Sequence, residues 1–454
     1  MGTRREFMRR TAAGLCAAVT PAAMAADSSA APRGKTTWKR AVPVRYECDV
    51  AVAGGGMAGV SAALAAAKSG ARVLLVENFA VTGGNATIGG VAAFCGETAG
   101  QGEAFDEIVG ALQSFNAIAP YRPYPKADNR PFDHEILAFV LQELLLRRGV
   151  KLLLHTKLAD ARERGGRVAE ITVCGPSGPE ALRAKVFMDC TGEAQLTHLA
   201  GFGTVKGRPE DGLQLPMSMM FFVREAGADQ MPPPMPDGWF ERINTKEELP
   251  MTSVWPAGPG RRALKIKIPL FDATDTESLA AAEIRARRRM MSVLDYYRRV
   301  EGKNWVLDAV PPRIGIREGR RVRGVKTLTV GDLRAGRAFG DGVARGVYYL
   351  DGHKPDDDKR TYILPPEARK VPPYLIPLGC LVPEGSKNLL AAGRCLSADQ
   401  LALSSARVMT TCAMTGQAAG VTAALCAAKN IPPDQVDPAE VRRILVGRGA
   451  NLEV

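Results

Sequence analysis

A short strand that runs directly into three consecutive glycines narrows the range of folds open to this chain. Residues 48–53 read as a buried strand, and residues 54–59 follow it with the sequence Gly-Gly-Gly-Met-Ala-Gly. An alanine-rich helix is predicted for residues 60–69, and a second strand over residues 71–76 ends at Glu77. A strand, a GxGxxG turn, a helix and an acidic residue after the next strand form the dinucleotide-binding fingerprint in its full context.

The glycines of this turn have distinct physical roles. Gly54 permits the tight turn, Gly56 lets a pyrophosphate approach the N–H groups at the helix N-terminus, and Gly59 allows close packing of helix and strand. Glu77 is expected to accept hydrogen bonds from both ribose hydroxyls. A glycine-rich turn without a ligand is the alternative, and the fingerprint alone does not separate FAD from NAD.

A second glycine pair favours FAD. Gly83, Gly84 and Asn85 lie in residues 81–87, directly after the second strand. The glycine pair lets the backbone run close to a second part of a flavin-length ligand. Asn85 and Thr87 are expected to donate hydrogen bonds to that ligand.

Later segments continue the α/β pattern. Residues 132–148 are predicted to form a helix with Asp133 as its N-cap, followed by a strand over residues 150–155. Residues 186–193 and 388–394 each read as a strand that runs into a glycine turn. The pattern of a strand followed by a glycine turn thus recurs along the chain.

A long helix of small residues is predicted over about residues 406–428. Its apolar stretch approaches the ~20 residues of a membrane span, which is the alternative interpretation. Arg407 and Gln417 interrupt that stretch, so we expect no stable membrane span and a helix packed on the cofactor domain instead.

These motifs together resemble the FAD-dependent oxidoreductases of the glutathione-reductase-like class, which are distantly related to the flavoprotein subunits of fumarate reductase. The resemblance covers about residues 46–428. It implies an α/β fold with a Rossmann-like FAD-binding domain, built on a parallel sheet and discontinuous in sequence. It also implies an inserted α+β cap or substrate domain.

The resemblance also implies which residues contact FAD. The backbone of Leu158 would face the adenine, and the start of the last helix would lie at the isoalloxazine. A helix N-terminus stabilises the anionic edge of a reduced flavin, and Arg407 would add a full charge there. The remaining implied contacts are Thr191, Gly192, Gly393, Arg394, Gly416 and Gln417.

The predicted domain organisation follows from the motifs and from changes in composition. Prolines punctuate the segment from Gly212 to Cys380, which is read as the insertion. A charged helix is predicted over residues 277–297, and its arginines are read as a solvated face rather than an anion site. The expected units are a signal peptide at 1–26, a linker at 27–44, the FAD-binding domain at 45–211 and 381–430, the inserted domain at 212–380 and a C-terminal tail at 431–454.

The N-terminus is read as an export signal. Arg4 and Arg5 precede a mostly apolar run over residues 11–20 and an alanine-rich segment over residues 21–26. This pattern is typical of a twin-arginine signal peptide, and a retained basic anchor is the alternative. We therefore expect an exported or periplasmic protein that encounters the twin-arginine export machinery.

Composition excludes several classes of function. The chain has 454 residues, 46% of them hydrophobic and 24% charged, as expected for a globular protein of two or three domains. The net charge is +12, but the lysines and arginines are interspersed with acidic residues and form no stripe with aromatic residues. We therefore expect no nucleic-acid partner. Nine cysteines without a CxxC pair and only four histidines predict no metal site.

Two segments of the insertion carry candidate substrate groups. Residues 322–330 are read as a strand, and period-two alternation at its start would place Arg317, Gly319 and Arg321 on one face. Two guanidinium groups on one face can bind a carboxylate or a set of hydroxyls. A salt-bridge cluster with Glu318 is the equal alternative.

His353 is the candidate for proton transfer. The resemblance places this residue near the cofactor, where an imidazole can move the proton that accompanies hydride transfer. A purely structural histidine is the alternative.

We thus expect an exported FAD enzyme that moves hydride between a small anionic or polyhydroxylated substrate and flavin N5. No second GxGxxG lies in a strand–turn–helix context, which disfavours an NAD(P)H site. A quinone, a small redox protein or oxygen is the expected electron acceptor. A flavin-bound lyase or isomerase acting on carbohydrate, and a non-catalytic FAD-binding scaffold, remain open.

Overall fold

A computed structural model describes residues 34, 36–37, 39–227 and 233–454. The predicted signal peptide and most of the linker lie outside the described residues. The strands are β1 (Val44–Ala53), β2 (Val73–Val76), β3 (Ala93–Cys95), β4 (Asn129–Pro131), β5 (Lys151–Leu153), β6 (Lys157–Arg164), β7 (Arg167–Gly175), β8 (Gly178–Asp189), β9 (Thr204–Lys206), β10 (Met217–Glu225), β11 (Thr252–Pro256), β12 (Arg261–Ile268), β13 (Trp305–Ala309), β14 (Arg320–Val322), β15 (Gly342–Gly346), β16 (Tyr374–Pro377) and β17 (Leu389–Ala391).

Helices occur between and after these strands. In chain order they are α1 (Met57–Lys68), α2 (Glu103–Ser114), α3 (His134–Arg147), α4 (Gln195–Leu199), α5 (Thr276–Arg299), α6 (Val330–Arg334), α7 (Pro366–Arg369), α8 (Gln400–Ala406), α9 (Met409–Lys429) and α10 (Pro438–Gly447).

The main sheet has seven strands in the order β5-β2-β1-β8-β7-β6, with β17 also paired to β8. β1 runs parallel to β2 and to β8, so Val52 lies opposite both Leu75 and Met188. β17 and β5 are parallel to their neighbours as well, whereas β6 and β7 form an antiparallel extension. The parallel strands therefore present their carboxyl ends at one edge, where ligands bind in sheets of this kind.

The long helix α9 packs directly on α1 behind this edge. A Cβ on Gly416 would lie 2.1 Å from the Ala58 oxygen, and one on Gly420 would lie 2.3 Å from the Ala62 oxygen. Glycine at these two positions lets the helix backbones approach each other. The expectation that the small residues of this helix serve close packing is confirmed. In the described part of the chain, no helix has the length and hydropathy needed to cross a bilayer.

A second, antiparallel sheet has the order β11-β12-β10-β13. Strand β10 alternates: Met219 and Phe221 are buried in the core that includes α5, whereas Ser218 and Met220 face the large cavity described below. Period-two alternation thus gives this sheet one face for its own core and one face for the site.

The structure can be compared with three predictions from the sequence: a helix cap, a strand and the domain boundaries. Asp133 caps α3 by accepting hydrogen bonds from the N–H groups of Glu135 and Ile136, as predicted. The strand predicted for residues 322–330 is wrong, because β14 ends at Val322 and is paired only with the short β9. Residues from Leu328 to Val382 share a core with the main sheet. The domain boundaries proposed from the sequence stay a prediction.

Candidate active site

One cavity of about 930 Å³ lies between the carboxyl edge of the main sheet and the inner face of the second sheet. The glycine turn after β1 and the residues after β2 and β8 line one part of it. Ser218, Met220 and Lys265 from the second sheet line another part, together with Arg317 and His353. A single continuous space therefore joins the predicted cofactor residues to the predicted substrate residues.

The first glycine turn has the geometry that its pattern requires. Gly54 has a φ of +98°, and a Cβ there would lie 2.5 Å from the Cys190 oxygen. A Cβ on Gly59 would lie 1.8 Å from the Gly54 oxygen, so this glycine holds α1 against the turn. Beyond its immediate chain neighbours, no described atom lies within 4 Å of a Cβ built on Gly56, which lines the cavity. The turn is thus tightly packed on its protein side and open where a pyrophosphate would lie.

Glu77 closes β2 and lines the same part of the cavity. Its Oε2 accepts a hydrogen bond from the Gly55 N–H at 2.7 Å, and its Oε1 accepts one from the Phe79 N–H at 2.9 Å. Burial raises the pKa of this carboxyl above its ordinary value, although these N–H groups oppose the shift. Each oxygen keeps one further acceptor position, which suits a ribose diol.

The second glycine pair packs on the first turn. The Gly83 N–H donates to the Gly55 oxygen at 2.7 Å, and Gly83 and Gly84 both line the cavity. Asn85 also lines it, but its amide donates to the Ile316 oxygen at 2.8 Å and so ties this turn to the segment that carries Arg317. Thr87 does not line the cavity, because its hydroxyl is turned to the Thr82 oxygen, so the predicted contact to the cofactor is wrong.

Most other predicted cofactor residues also border the cavity. Arg394 donates to Glu193 Oε1 at 2.6 Å, and its Nε is buried without a hydrogen-bond partner among the described residues. The start of α9 borders the cavity through Val408, Met409 and Cys412, so its N-terminus faces this space. The predicted residues that line the cavity here are Leu158, Thr191, Gly192, Gly393, Arg394 and Arg407.

Gly416 and Gln417 do not line the cavity, which corrects their assignment as cofactor contacts. Gly416 is used for the close approach of α9 to Ala58 on α1. The Gln417 side chain accepts a hydrogen bond from the Ala104 N–H at 2.8 Å in the first turn of α2. Both residues lie inside the helical core, about two turns along α9 from the end that faces the cavity.

The two arginines predicted to share one face are separated. Arg317 lines the cavity, is 9% exposed, and donates from Nη1 to the Pro216 oxygen at 2.7 Å. Arg321 is buried outside the cavity and forms an ion pair with Glu318, with a second hydrogen bond to the Gly207 oxygen at 2.9 Å. The reason is that the chain is not a strand at Arg317, so alternation does not apply. Arg321 is a structural residue, as the salt-bridge alternative described.

His353 lies in a charged cluster with Asp351 and Arg407. His353 Nε2 is 3.2 Å from Asp351 Oδ1, and Arg407 Nη2 donates to Asp351 Oδ2 at 2.8 Å. Burial and the nearby Arg317 lower the pKa of His353 to about 3, so the imidazole is neutral. Burial alone would raise the pKa of Asp351, but contact with His353 and the two arginines holds it well below its ordinary value.

The second ring nitrogen of His353, Nδ1, has no hydrogen-bond partner among the described residues. The ring is 1% exposed. With Nε2 directed to Asp351, Nδ1 carries the free lone pair of a neutral imidazole. A buried acceptor without a partner is costly, which is typical of a group that meets a ligand.

Sequence reasoning missed Lys265 and three tyrosines in this cavity, Tyr348, Tyr349 and Tyr362. The Tyr348 hydroxyl donates to that of Tyr349 at 3.1 Å, and burial raises the pKa of both, so they remain protonated. Burial and the neighbouring Arg317 lower the pKa of Lys265 to about 8. The only sequence pattern that could have indicated Lys265 is the alternation of two lysines with apolar residues in β12.

Among the described residues, no group of histidine, cysteine and carboxylate side chains is arranged to hold a metal ion.

Comparisons with known proteins point to one family. Residues 49–445 match the family model described as FAD dependent oxidoreductase. No curated protein gives a significant sequence match. Among solved structures, OxyS anhydrotetracycline hydroxylase from Streptomyces rimosus is 16% identical with a TM-score of 0.48, covering 89% of this chain and 68% of that chain. The flavin-dependent brominase Bmp2 is 12% identical with a TM-score of 0.46, covering 88% and 83%. Identities this low say nothing about reaction or substrate.

Proposed function

We propose that this chain, which belongs to the FAD dependent oxidoreductase family, is a dehydrogenase or reductase that moves hydride between a small organic substrate and FAD. The continuous cavity carries this proposal, because the cofactor turn and the Arg317–His353 cluster border the same space. FAD supplies a ring atom that accepts or returns a hydride when it is bound. The protein groups supply binding, orientation and proton transfer.

The residues fit FAD along one wall of the cavity. Gly56 leaves open space beside the N-terminus of α1, where a pyrophosphate is stabilised by unpaired N–H groups and the helix dipole. Glu77 retains acceptor positions for a ribose. The N-terminus of α9 faces the cavity and offers a positive end for the flavin ring.

The opposite wall offers the groups for a substrate. We assign Arg317 to substrate binding, because one hydrogen bond to the Pro216 oxygen leaves most of its donors free. We assign Nδ1 of His353 to the proton, because it is the unpartnered nitrogen of a neutral imidazole held by Asp351. Asp351 orients the ring and stabilises the imidazolium that forms, while Arg407 holds Asp351 in place.

Export and electron transfer are proposed from the sequence. The twin-arginine pattern at Arg4 and Arg5 supports export to the periplasm, because this route carries proteins that have already bound a cofactor. An exported enzyme lacks a dependable supply of nicotinamide, which supports a quinone, a small redox protein or oxygen as electron acceptor.

Anaerobic mixing tests the proposal. The FAD-loaded protein is mixed with organic acids, polyols and sugars, and the flavin band is followed without oxygen. The expected result is persistent bleaching by one of them, for a dehydrogenase, or reoxidation of the chemically reduced flavin by one of them, for a reductase. An Arg317→Met variant should need a higher concentration for either. Turnover without bleaching would instead indicate a lyase or isomerase. Rapid bleaching by NADPH would overturn the proposed electron acceptor.

A further inference from the structure

Two cationic groups in the substrate part of the cavity have no anionic partner. The ion pairs of this region join Asp351 to His353 and to Arg407. Within the described part of the chain, no carboxylate lies at ion-pair distance from Lys265 or Arg317. The Lys265 side chain has no hydrogen bond to any described residue either.

The other carboxylates that line the cavity already have partners. Glu193 is bound by Arg394, and Glu77 accepts hydrogen bonds from backbone N–H groups. Asp128 accepts a hydrogen bond from the Asn129 amide at 2.9 Å. Asp351 is the charged group of opposite sign nearest in effect to Lys265 and Arg317, but its two oxygens are directed to His353 and Arg407. Among the described residues, neither cation therefore has a carboxylate of its own.

The second sheet brings these two cations to one place. Lys265 on β12 lies opposite Met220 on β10, and both side chains line the cavity. Gly315 pairs with Ser218 on the other side of β10, two residues before Arg317. Ser218 is thus flanked by the two segments that carry the cations, and Gly315 has no side chain to separate them.

A partly buried cation without a counter-ion is unfavourable unless a ligand supplies the charge. Burial and Arg317 lower the pKa of Lys265 to about 8, and burial and Arg407 lower that of Arg317 to about 10. Asp351 opposes both shifts, but burial and like charge outweigh it for each cation. A bound anion would relieve both effects.

We propose that Lys265 and Arg317 together bind a carboxylate of the substrate, so that this enzyme acts on small organic acids. The inference rests on the proposed function, and it makes Lys265 a substrate-binding residue contributed by the second sheet. A carboxylate offers two oxygens, one for the ammonium group and one for the guanidinium group, and charge-assisted hydrogen bonds of this kind are strong. A neutral polyol would leave both cations uncompensated.

Binding to the oxidised, FAD-loaded protein tests the assignment without requiring turnover. The probes are succinate and benzoate, with the neutral succinamide and benzamide as matched controls. Changes in the flavin absorbance band and calorimetry report binding. We expect at least one acid to bind and its amide to bind at least about tenfold more weakly, since a lost charge-assisted contact is worth that much.

Variants identify the residue. Lys265→Met should weaken binding of the acid at least about tenfold, whereas Lys265→Arg should restore most of it. Lys303→Met is the matched control, because Lys303 is exposed and outside the cavity. FAD content and the unfolding midpoint confirm that each variant is folded, and the comparison of acid with amide on the unaltered protein needs no variant.

Two results would overturn the inference. One is that neither acid binds up to about 10 mM, far above the range of a specific site. Another is that the acid binds Lys265→Met as well as the unaltered protein. If Lys265→Met also lowers the flavin midpoint potential in that case, the ammonium group serves the reduced flavin instead.

The same measurements separate this inference from the proposed function. Acid binding that depends on Lys265, without bleaching of the oxidised flavin or reoxidation of the reduced flavin by any organic compound, would support the carboxylate site and contradict the proposed function. Bleaching by a neutral polyol, without binding of either acid, would support the dehydrogenase and contradict the carboxylate site.

Discussion

Gly56 and Gly59 lie in one turn, but we expect substitution by alanine to affect FAD affinity at Gly56 and protein stability at Gly59. A Cβ on Gly56 meets open cavity, whereas one on Gly59 meets the Gly54 oxygen at 1.8 Å. Gly56→Ala should therefore leave the free energy of unfolding of the FAD-free protein within about 1 kcal/mol, with the FAD affinity reduced at least about tenfold. Gly59→Ala should lower that free energy by about 1–3 kcal/mol. Urea unfolding and quenching of FAD fluorescence measure the two effects.

Two results would contradict these predictions. An unchanged FAD affinity in Gly56→Ala would mean that the pyrophosphate does not pass over this glycine. An unchanged stability in Gly59→Ala would mean that α1 can shift without cost.

His353 should control the rate of flavin reduction rather than FAD binding. Glutamine keeps a polar side chain of similar size but cannot accept the proton. His353→Gln should therefore slow anaerobic flavin reduction by about 10²–10⁴-fold, with FAD content unchanged. His198→Gln is the control, because that histidine is exposed and outside the cavity. A rate equal to that of the unaltered protein would leave His353 a structural role only.

Carboxylate binding should weaken as pH rises through about 8. The pKa of Lys265 is lowered to about 8, so its cation is present below that pH and is lost above it. A bound acid favours the cation and moves the loss to higher pH. The groups acting on Lys265 are Arg317, Asp351, Arg407 and Cys95, and burial raises the pKa of Cys95 to about 11, so that thiol stays neutral through this range. Titrations at pH 6 to 10 should show the fall in the unaltered protein and a flatter profile in Lys265→Met.

At the scale of elements, the contact between α9 and α1 makes a prediction that needs no ligand. Gly416→Ala places a Cβ 2.1 Å from the Ala58 oxygen, so we expect the helices to separate and the free energy of unfolding to fall by about 1–3 kcal/mol. Gly110→Ala is the matched control on α2, because no described atom beyond the neighbouring backbone of its own helix lies within 4 Å of its Cβ. Alanine there should stabilise the helix by about 0.5–1 kcal/mol. Chemical denaturation of both variants compares the two.

Elements with a local signal could be predicted, and those defined by tertiary pairing could not. The first glycine turn is specified within a few residues, and so is the cap at Asp133, because turn and cap geometry depend on nearby chain. The strand predicted after Arg321 failed because alternation in sequence does not show whether a partner strand is available. Gly416 was taken for a cofactor contact because small residues look alike whether they approach a ligand or a helix.

The substrate groups show the same limit. Arg317 and Arg321 are equivalent in sequence, and only the fold turns one into the cavity and the other onto Glu318. Lys265 lies in β12, far along the chain from the glycine turn, so its place in the cavity depends on how the two sheets meet. Sequence motifs identify the cofactor part of the cavity because its glycine turn is formed by consecutive residues.

At the scale of the whole molecule, one stack of side chains joins α3 to the second sheet, and we expect it to make the protein less stable in acid. His134, the first residue of α3, stacks on Phe222 of β10 with ring centroids 5.2 Å apart. The Arg261 guanidinium lies 4.2 Å from the same Phe222 ring. Burial lowers the pKa of His134, and Arg261 acts in the same direction against the opposing Glu135 and Asp133.

The sign of the pH effect follows from this direction. A histidine whose pKa is lowered by folding binds fewer protons in the folded state, so its contribution to stability is lost as pH falls below about 6.5. His353 acts in the same sense, with a pKa of about 3, whereas Glu77, whose pKa is raised, acts in the opposite sense.

The contribution of His134 is isolated by comparing the unaltered protein with His134→Gln. Between pH 7 and 5 the free energy of unfolding should fall less steeply in the variant, by up to about 1.4 kcal/mol per pH unit. Equal slopes in the two proteins would show that the stack of His134 on Phe222 tolerates a charged imidazole.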